Sequence, residues 1–258
     1  MSSFLQSVFK IFIVCVVFYC LDHFLSVMLN IPFELCIPDN YDPSNYLQVT
    51  ILRCIEIFIL ILLYKKELGS MAGLTDYFKN IIEISLGFFI SFVGLLFVFI
   101  IHIVGFIDLS NLFSTQNHLD KSLYNLSLFM IAGGLIGPFA EELFFRAYLI
   151  HLSPQGNNLT KKTPLLILIG IIFVLPHVDF SQLETGLMQH LINLDINGSF
   201  SAIFTIFKLQ WMNIFMWSTC ALITLPLFLW RRSILAGWVI HCMANITLYL
   251  LQNGFISG

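Results

Sequence analysis

The chain has 258 residues, 58% of them hydrophobic and only 10% charged, with 27 phenylalanines and a mean hydropathy of +0.89. Soluble domains carry about 25% charged residues. A shortage spread along the whole length excludes a globular domain with one anchor and predicts an all-α, polytopic membrane helix bundle. The net charge of −3 gives no reason to expect nucleic acid, and the six cysteines, without CxxC or metal-ligand spacing, read as small hydrophobes.

Hydropathy predicts a single domain, 1–258, with about seven transmembrane helices. The first covers 8–29; Lys10 precedes the apolar run IFIVCVVFYCL, but no small-x-small cleavage site follows, so it reads as a retained helix rather than a signal peptide. The second covers 46–64, with Arg53 and Glu56 three apart as a local pair facing the bundle and Asp22 beside His23 as another on the first helix. Residues 71–80 (MAGLTDYFKN) are expected to form an interfacial helix leading into the third span, 81–104. The fourth runs over 123–152, and a short fifth over 164–178. Residues 179–211 form a semi-polar stretch at the surface or re-entering, and the sixth and seventh spans cover 212–230 and 233–251.

Charge orients this map. Lys10, Lys65, Lys66, Lys79, Lys161, Lys162, Arg231 and Arg232 fall on one face when spans alternate. The other face holds Glu34, Asp39, Asp42, Asp108, Asp120, Asp179, Glu184 and Asp195, with Lys121 and Lys208 as its basic residues. The positive-inside rule then puts the N-terminus in the cytoplasm, and the expected location is a multi-pass membrane protein, in the plasma membrane if bacterial.

An ionisable residue inside a span costs at least about 2.5–3.5 kcal/mol, so each needs a partner or a purpose. Three clusters stand out. In EELFFR, Glu142 and Arg146 are four apart on one helical face and can neutralise each other. Glu141 is rotated by about 100° and has no partner on its own helix. In FVLPH, Phe173 stands one turn before His177, and Pro176 should bend the helix there. In HCMAN, His241 and Asn245 are four apart on an otherwise apolar helix.

Depth brings the clusters together. Counting from cytoplasmic ends at 152, 163 and 233, Glu141 lies ~16 Å deep, His177 ~21 Å, His241 ~12 Å and Asn245 ~18 Å, at ~1.5 Å per residue. All four fall in one slab, as a buried polar site built from three helices would require. Peptide hydrolysis needs an activated water and donors for a developing oxyanion. A carboxylate, two imidazoles and an amide supply those groups, whereas no GxSxG, serine–lysine pair or catalytic-cysteine signature offers a rival nucleophile. The bland alternative makes His241 and Asn245 interhelical hydrogen-bond ties, and His177 a helix-end histidine satisfied by a freed carbonyl.

EELFFR, FVLPH and HCMAN, in that order on separate apolar helices, resemble the EExxxR, FxxxH and HxxxN pattern of the CAAX prenyl protease and bacteriocin-processing family of intramembrane glutamic endopeptidases. The resemblance covers about 125–250 and leaves the N-terminal helices, 1–120, outside it. It implies an endopeptidase with Glu141 as general base and His177 as its partner on the attacking water. His241 and Asn245 would stabilise the oxyanion, with Glu142 and Arg146 as a supporting pair. Two departures are Ala147, where the family usually has glycine after the arginine, and a long segment between the second motif and the sixth span. The partner implied is a peptide or lipidated protein substrate in the lipid bilayer, prenylated or not; nucleic acid is not expected. No cofactor is expected. The alternative is a zinc protease with Glu141, His177 and His241 as ligands, although HExxH is absent. A third reading is a non-enzymatic bacteriocin-immunity membrane protein or a transporter, though neither inverted repeats nor matching broken helices are evident.

Overall fold

The computed structural model describes residues 3–28, 43–63, 74–103, 127, 129–152, 159–175 and 211–252. Among these there are seven helices and no strand, as the hydropathy predicts. They are α1 (Ser3–Met28), α2 (Pro43–Leu63), α3 (Tyr77–Ile103), α4 (129–151), α5 (Leu159–Val174), α6 (Trp211–Arg231) and α7 (Leu235–Gln252). The protein is an all-α membrane helix bundle. Three described stretches are long and apolar enough to cross a bilayer: Leu5–Asp22, Tyr77–Phe97 and Ile214–Arg231. Residues 176–210, which include His177 and most of the expected semi-polar stretch, lie outside the described residues, as do Lys65 and Lys66.

The helices sort by what they expose. α1 and α3 turn large apolar side chains outward, among them Phe9, Phe12, Phe88, Phe89 and Phe92, which suits helices at the lipid-facing rim. α4 is the opposite case. Every residue from Glu142 to Ile150 is buried, so this helix is enclosed on all sides, with α2, α5 and α7 among its neighbours. α7 packs along α3 and α6. Its approach to α3 depends on Gly87, where a Cβ would fall 2.7 Å from Val239 Cβ and 2.8 Å from the Ala236 carbonyl oxygen.

α4 is not a regular α-helix. Ala132–Ile136 and Glu142–Tyr148 are π-helical turns, separated by an α-helical turn at Gly137–Glu141. The Gly137 N–H donates to Ala132 O, five residues back. In that register the next donor, to Gly133 O, would be residue 138, which is a proline without an N–H. The Gly133 carbonyl is instead satisfied from another helix: Asn245 Nδ2 on α7 donates to it at 2.7 Å. Trp238 Nε1, two turns earlier on α7, donates to Leu135 O at 2.9 Å. The backbone irregularity of α4 is thus tied down by side chains of α7, which repays part of the cost of a broken ladder.

Two boundaries differ from the sequence expectation, and the link between α6 and α7 falls within two residues of its expected place. Of the expected interfacial segment 71–80, residues 71–73 lie outside the described residues, 74–76 are not helical, and 77–80 already belong to α3. Asp76 instead caps the span itself, its Oδ1 accepting from Lys79 N–H at 3.1 Å and its carbonyl from Asn80 N–H at 2.9 Å. α5 starts at Leu159, so Pro164 stands inside it. Between α6 and α7, Arg232 takes φ 54, the left-handed conformation of a helix stop, and donates its N–H to Phe228 O at 2.8 Å. Ser233 Oγ then accepts from Leu235 N–H at 3.3 Å as α7 begins.

One ion pair relates the ends of two helices. Arg231, at the end of α6, pairs with the fully buried Glu83 near the start of α3 at 2.7 Å. These two helix ends therefore share one end of the bundle, as the charge map requires for Lys79 and Arg231.

Candidate active site

The polar residues of α4 and α7 meet in the interior. Glu142, Arg146 and His241 are all fully buried. His241 lies between the two glutamates: Nδ1 is 3.5 Å from Glu142 Oε1, and Nε2 is 3.7 Å from Glu141 Oε2. Glu141, rotated away from Arg146 as expected, finds its partner on α7 rather than on its own helix. The two carboxylates differ in access. The Glu141 side chain is 24% exposed and that of Glu142 1%, so one can meet solvent or substrate and the other cannot.

The supporting pair is real but shared. Arg146 Nε is 3.6 Å from Glu142 Oε2, longer than the ~2.7–2.9 Å of a charge-assisted hydrogen bond. The guanidinium spends its donors elsewhere: Nη2 and Nε donate to Thr224 Oγ1 on α6 at 2.7 and 3.2 Å. Its carbon also sits 4.2 Å from the centroid of the Phe173 ring on α5, a cation–π contact without water. A buried guanidinium is therefore held by carboxylate, hydroxyl and aromatic face, drawn from three helices.

Aromatic rings fix the imidazole. Phe173 and Trp217 meet His241 edge-on, with centroids at 5.4 and 5.1 Å. Phe173 also packs against Phe145 at 5.4 Å. The phenylalanine of FVLPH is thus at the site; His177 itself lies outside the described residues. Asn245, one turn beyond His241, ties α7 to Gly133 of α4, so at least one of its two amide hydrogens serves as an interhelical tie.

Three neighbours were not singled out in the sequence: Thr224, Trp217 and Gly237. A Cβ on Gly237 would lie 2.8 Å from Glu142 Oε2, so glycine there lets α7 approach the buried carboxylate. A signal existed for each. Gly237 stands one turn before His241 on the stripe that also holds Asn245, and Thr224 follows Trp217 by two turns, within the otherwise apolar run CALITLPLFL of α6.

A second charged cluster joins α1 to α2. Arg53 Nη1 donates to Glu56 Oε2 at 2.7 Å and Oε1 at 2.9 Å, as the three-residue spacing predicts. It also donates to Asp22 Oδ1 at 3.3 Å. Asp22, expected beside His23, is thus partnered across helices, and Glu56 is buried.

The arrangement can do acid–base work. It offers one reachable carboxylate beside an imidazole whose other nitrogen faces a buried, guanidinium-backed carboxylate. Among the described residues no group of three or more His, Cys, Asp or Glu is placed to hold a metal ion; His177, required by the zinc alternative, is not among them.

Residues 123–247 match the family described as type II CAAX prenyl endopeptidase Rce1-like. No curated protein and no solved structure matches the chain. The matched segment contains EELFFR, FVLPH and HCMAN and, among the described residues, the helices that build the polar site. Residues 123–247 of this membrane protein are therefore similar to the type II CAAX prenyl endopeptidase family.

Proposed function

We propose that this protein is a metal-independent intramembrane endopeptidase that hydrolyses a peptide bond in a membrane-associated peptide or lipidated protein. Glu141 takes a proton from the attacking water, and His177 helps to hold that water. The hydroxide adds to the scissile carbonyl, and His241 with the second amide hydrogen of Asn245 faces the oxyanion. Collapse of the tetrahedral intermediate breaks the C–N bond, and the proton taken by Glu141 passes to the leaving amine. Glu142 and Arg146 stay paired in the interior and hold the site's shape. The N-terminus lies in the cytoplasm, and the membrane is the plasma membrane if the source is bacterial.

The observation that carries this reading is the inequality of the two adjacent glutamates. Both flank His241, yet Glu141 is 24% exposed and Glu142 1%. A general base must reach water and substrate, so the role falls to Glu141. Substrate identity is tested by comparing membrane-protein fragments from cells expressing wild type and Glu141→Gln. Fragments present only with wild type identify the substrates, and identical fragment patterns contradict the proposal.

A further inference from the structure

We propose that Pro138 is a positioning residue for the reaction: having no N–H to give, it leaves the Gly133 carbonyl to hold the Asn245 amide with its nitrogen toward α4. The inference rests on the hydrolase reading for its kinetic consequence, but not for its structural one.

The cause lies in the backbone of α4. A proline ring inside a helix crowds the carbonyl four residues back, here that of Gly134. Pro138 is buried, stands one turn before Glu141, and follows the π-helical turn Ala132–Ile136, which is wide enough to accommodate the ring. That turn carries the Gly137 N–H to Ala132 O, five residues back. The next N–H in this register would reach Gly133 O, and Pro138 has none. Within a membrane bundle a backbone carbonyl has to be satisfied by protein, so the donor comes from another helix. Asn245 Nδ2 supplies it from α7, at 2.7 Å.

A carbonyl oxygen can only accept. The contact therefore decides which end of the Asn245 amide meets α4: it is the nitrogen. That nitrogen carries two hydrogens, and the one not given to Gly133 is the donor that the hydrolase reading needs. Turned by about 180°, the same amide would present Oδ1 in place of Nδ2, and an oxygen facing a developing oxyanion repels it instead of stabilising it. Asn245 is buried, one turn from His241 on the same face of α7, so little water competes for the amide. Other contacts keep α7 on α4 without this bond. Trp238 Nε1 donates to Leu135 O at 2.9 Å, and its ring meets that of Phe139 edge-on at 5.6 Å. Losing the Asn245 bond should thus free the amide without parting the helices.

Pro138→Ala supplies the missing N–H. Lactic acid placed at position 138 by nonsense suppression has the same methyl side chain but an ester oxygen where alanine has its N–H. The protein in detergent is labelled with ¹⁵N in its asparagine amides, and the Asn245 signals are assigned from their loss in Asn245→Leu. Pro138→Ala should move those signals toward the values of an unbonded amide. It should lower kcat by about 10-fold with KM little changed, short of the 10²–10³-fold cost of losing an oxyanion donor outright. Its Tm should hold or rise, because alanine suits a helix interior far better than proline. The ester should keep the wild-type amide signals and most of kcat. Unchanged Asn245 signals or an unchanged kcat in Pro138→Ala overturns the proposal, as does a kcat loss that comes with a lower Tm. An ester that fails as alanine does also overturns it, since the ring and not the absent N–H would then matter. If the wild type and Glu141→Gln hydrolyse equally poorly, the hydrolase reading fails, while the amide signals still decide the role of Pro138.

Discussion

Replacing Glu142 by glutamine separates a structural carboxylate from a chemical one. The perturbation leaves Arg146 charged and fully buried, with its carboxylate partner neutralised. At 3.6 Å the pair is worth about 4–5 kcal/mol at an effective dielectric of ~20. Breaking one side of a buried pair costs about 3–5 kcal/mol. Thr224 and the face of Phe173 still hold the guanidinium, so the loss should fall near the lower end, at ~3 kcal/mol. For a chain of this size that is a drop in Tm of roughly 6–12 °C. Activity should fall with it, since His241 Nδ1 loses the carboxylate oxygen 3.5 Å away. Glu142→Gln with Arg146→Gln should recover part of the stability, because no unpaired charge remains. The assay is Tm in detergent for both single variants and the double, alongside specific activity per folded protein. A Glu142→Gln protein with wild-type Tm and no activity would refute the reasoning and exchange the roles of the two glutamates.

Gly237→Ala should destabilise by about 1–3 kcal/mol, the usual cost of forcing atoms into a packed interior, because its Cβ meets Glu142 Oε2 at 2.8 Å; an unchanged Tm contradicts that contact. In a cysteine-free background, cysteines placed at 161 and at 195 should react with an external, impermeant reagent only at 195, and labelling at 161 defeats the charge map. Chelators should leave hydrolysis intact. Inhibition that zinc restores would instead support Glu141, His177 and His241 as ligands. If the protein confers bacteriocin immunity by binding alone, Glu141→Ala should still protect cells; on the present account it should not.

Much of this was legible because membrane residence simplifies the code. An apolar run long enough to span is already a helix, so the seven helices and the three charged motifs could be read from spacing. The Glu142–Arg146 and Arg53–Glu56 pairs were readable for the same reason: both lie within one helix, where four- and three-residue spacing determines the shared face. What spacing cannot specify is which neighbouring helix a face meets. Asp22 therefore reached Arg53 on α2, Glu83 found Arg231 from the far end of α6, and Thr224 took two donors of Arg146. The π turns of α4 were hidden for a different reason. They depend on how Pro138, lacking an N–H, is accommodated, and the acceptor it strands at Gly133 is filled by Asn245, 112 residues away. The same contact explains why Asn245 reads equally well as a tie or as a participant. His177, legible in FVLPH, lies outside the described residues.

The most direct test of the central claim is hydrolysis of a membrane-reconstituted peptide by purified wild type and Glu141→Gln, with folding checked by Tm. Glutamine keeps the size and removes the base, so the rate should fall by roughly 10²–10⁴-fold while Tm stays near that of the wild type, the Glu141 side chain being partly exposed. Near-full activity in a folded Glu141→Gln protein would contradict the account.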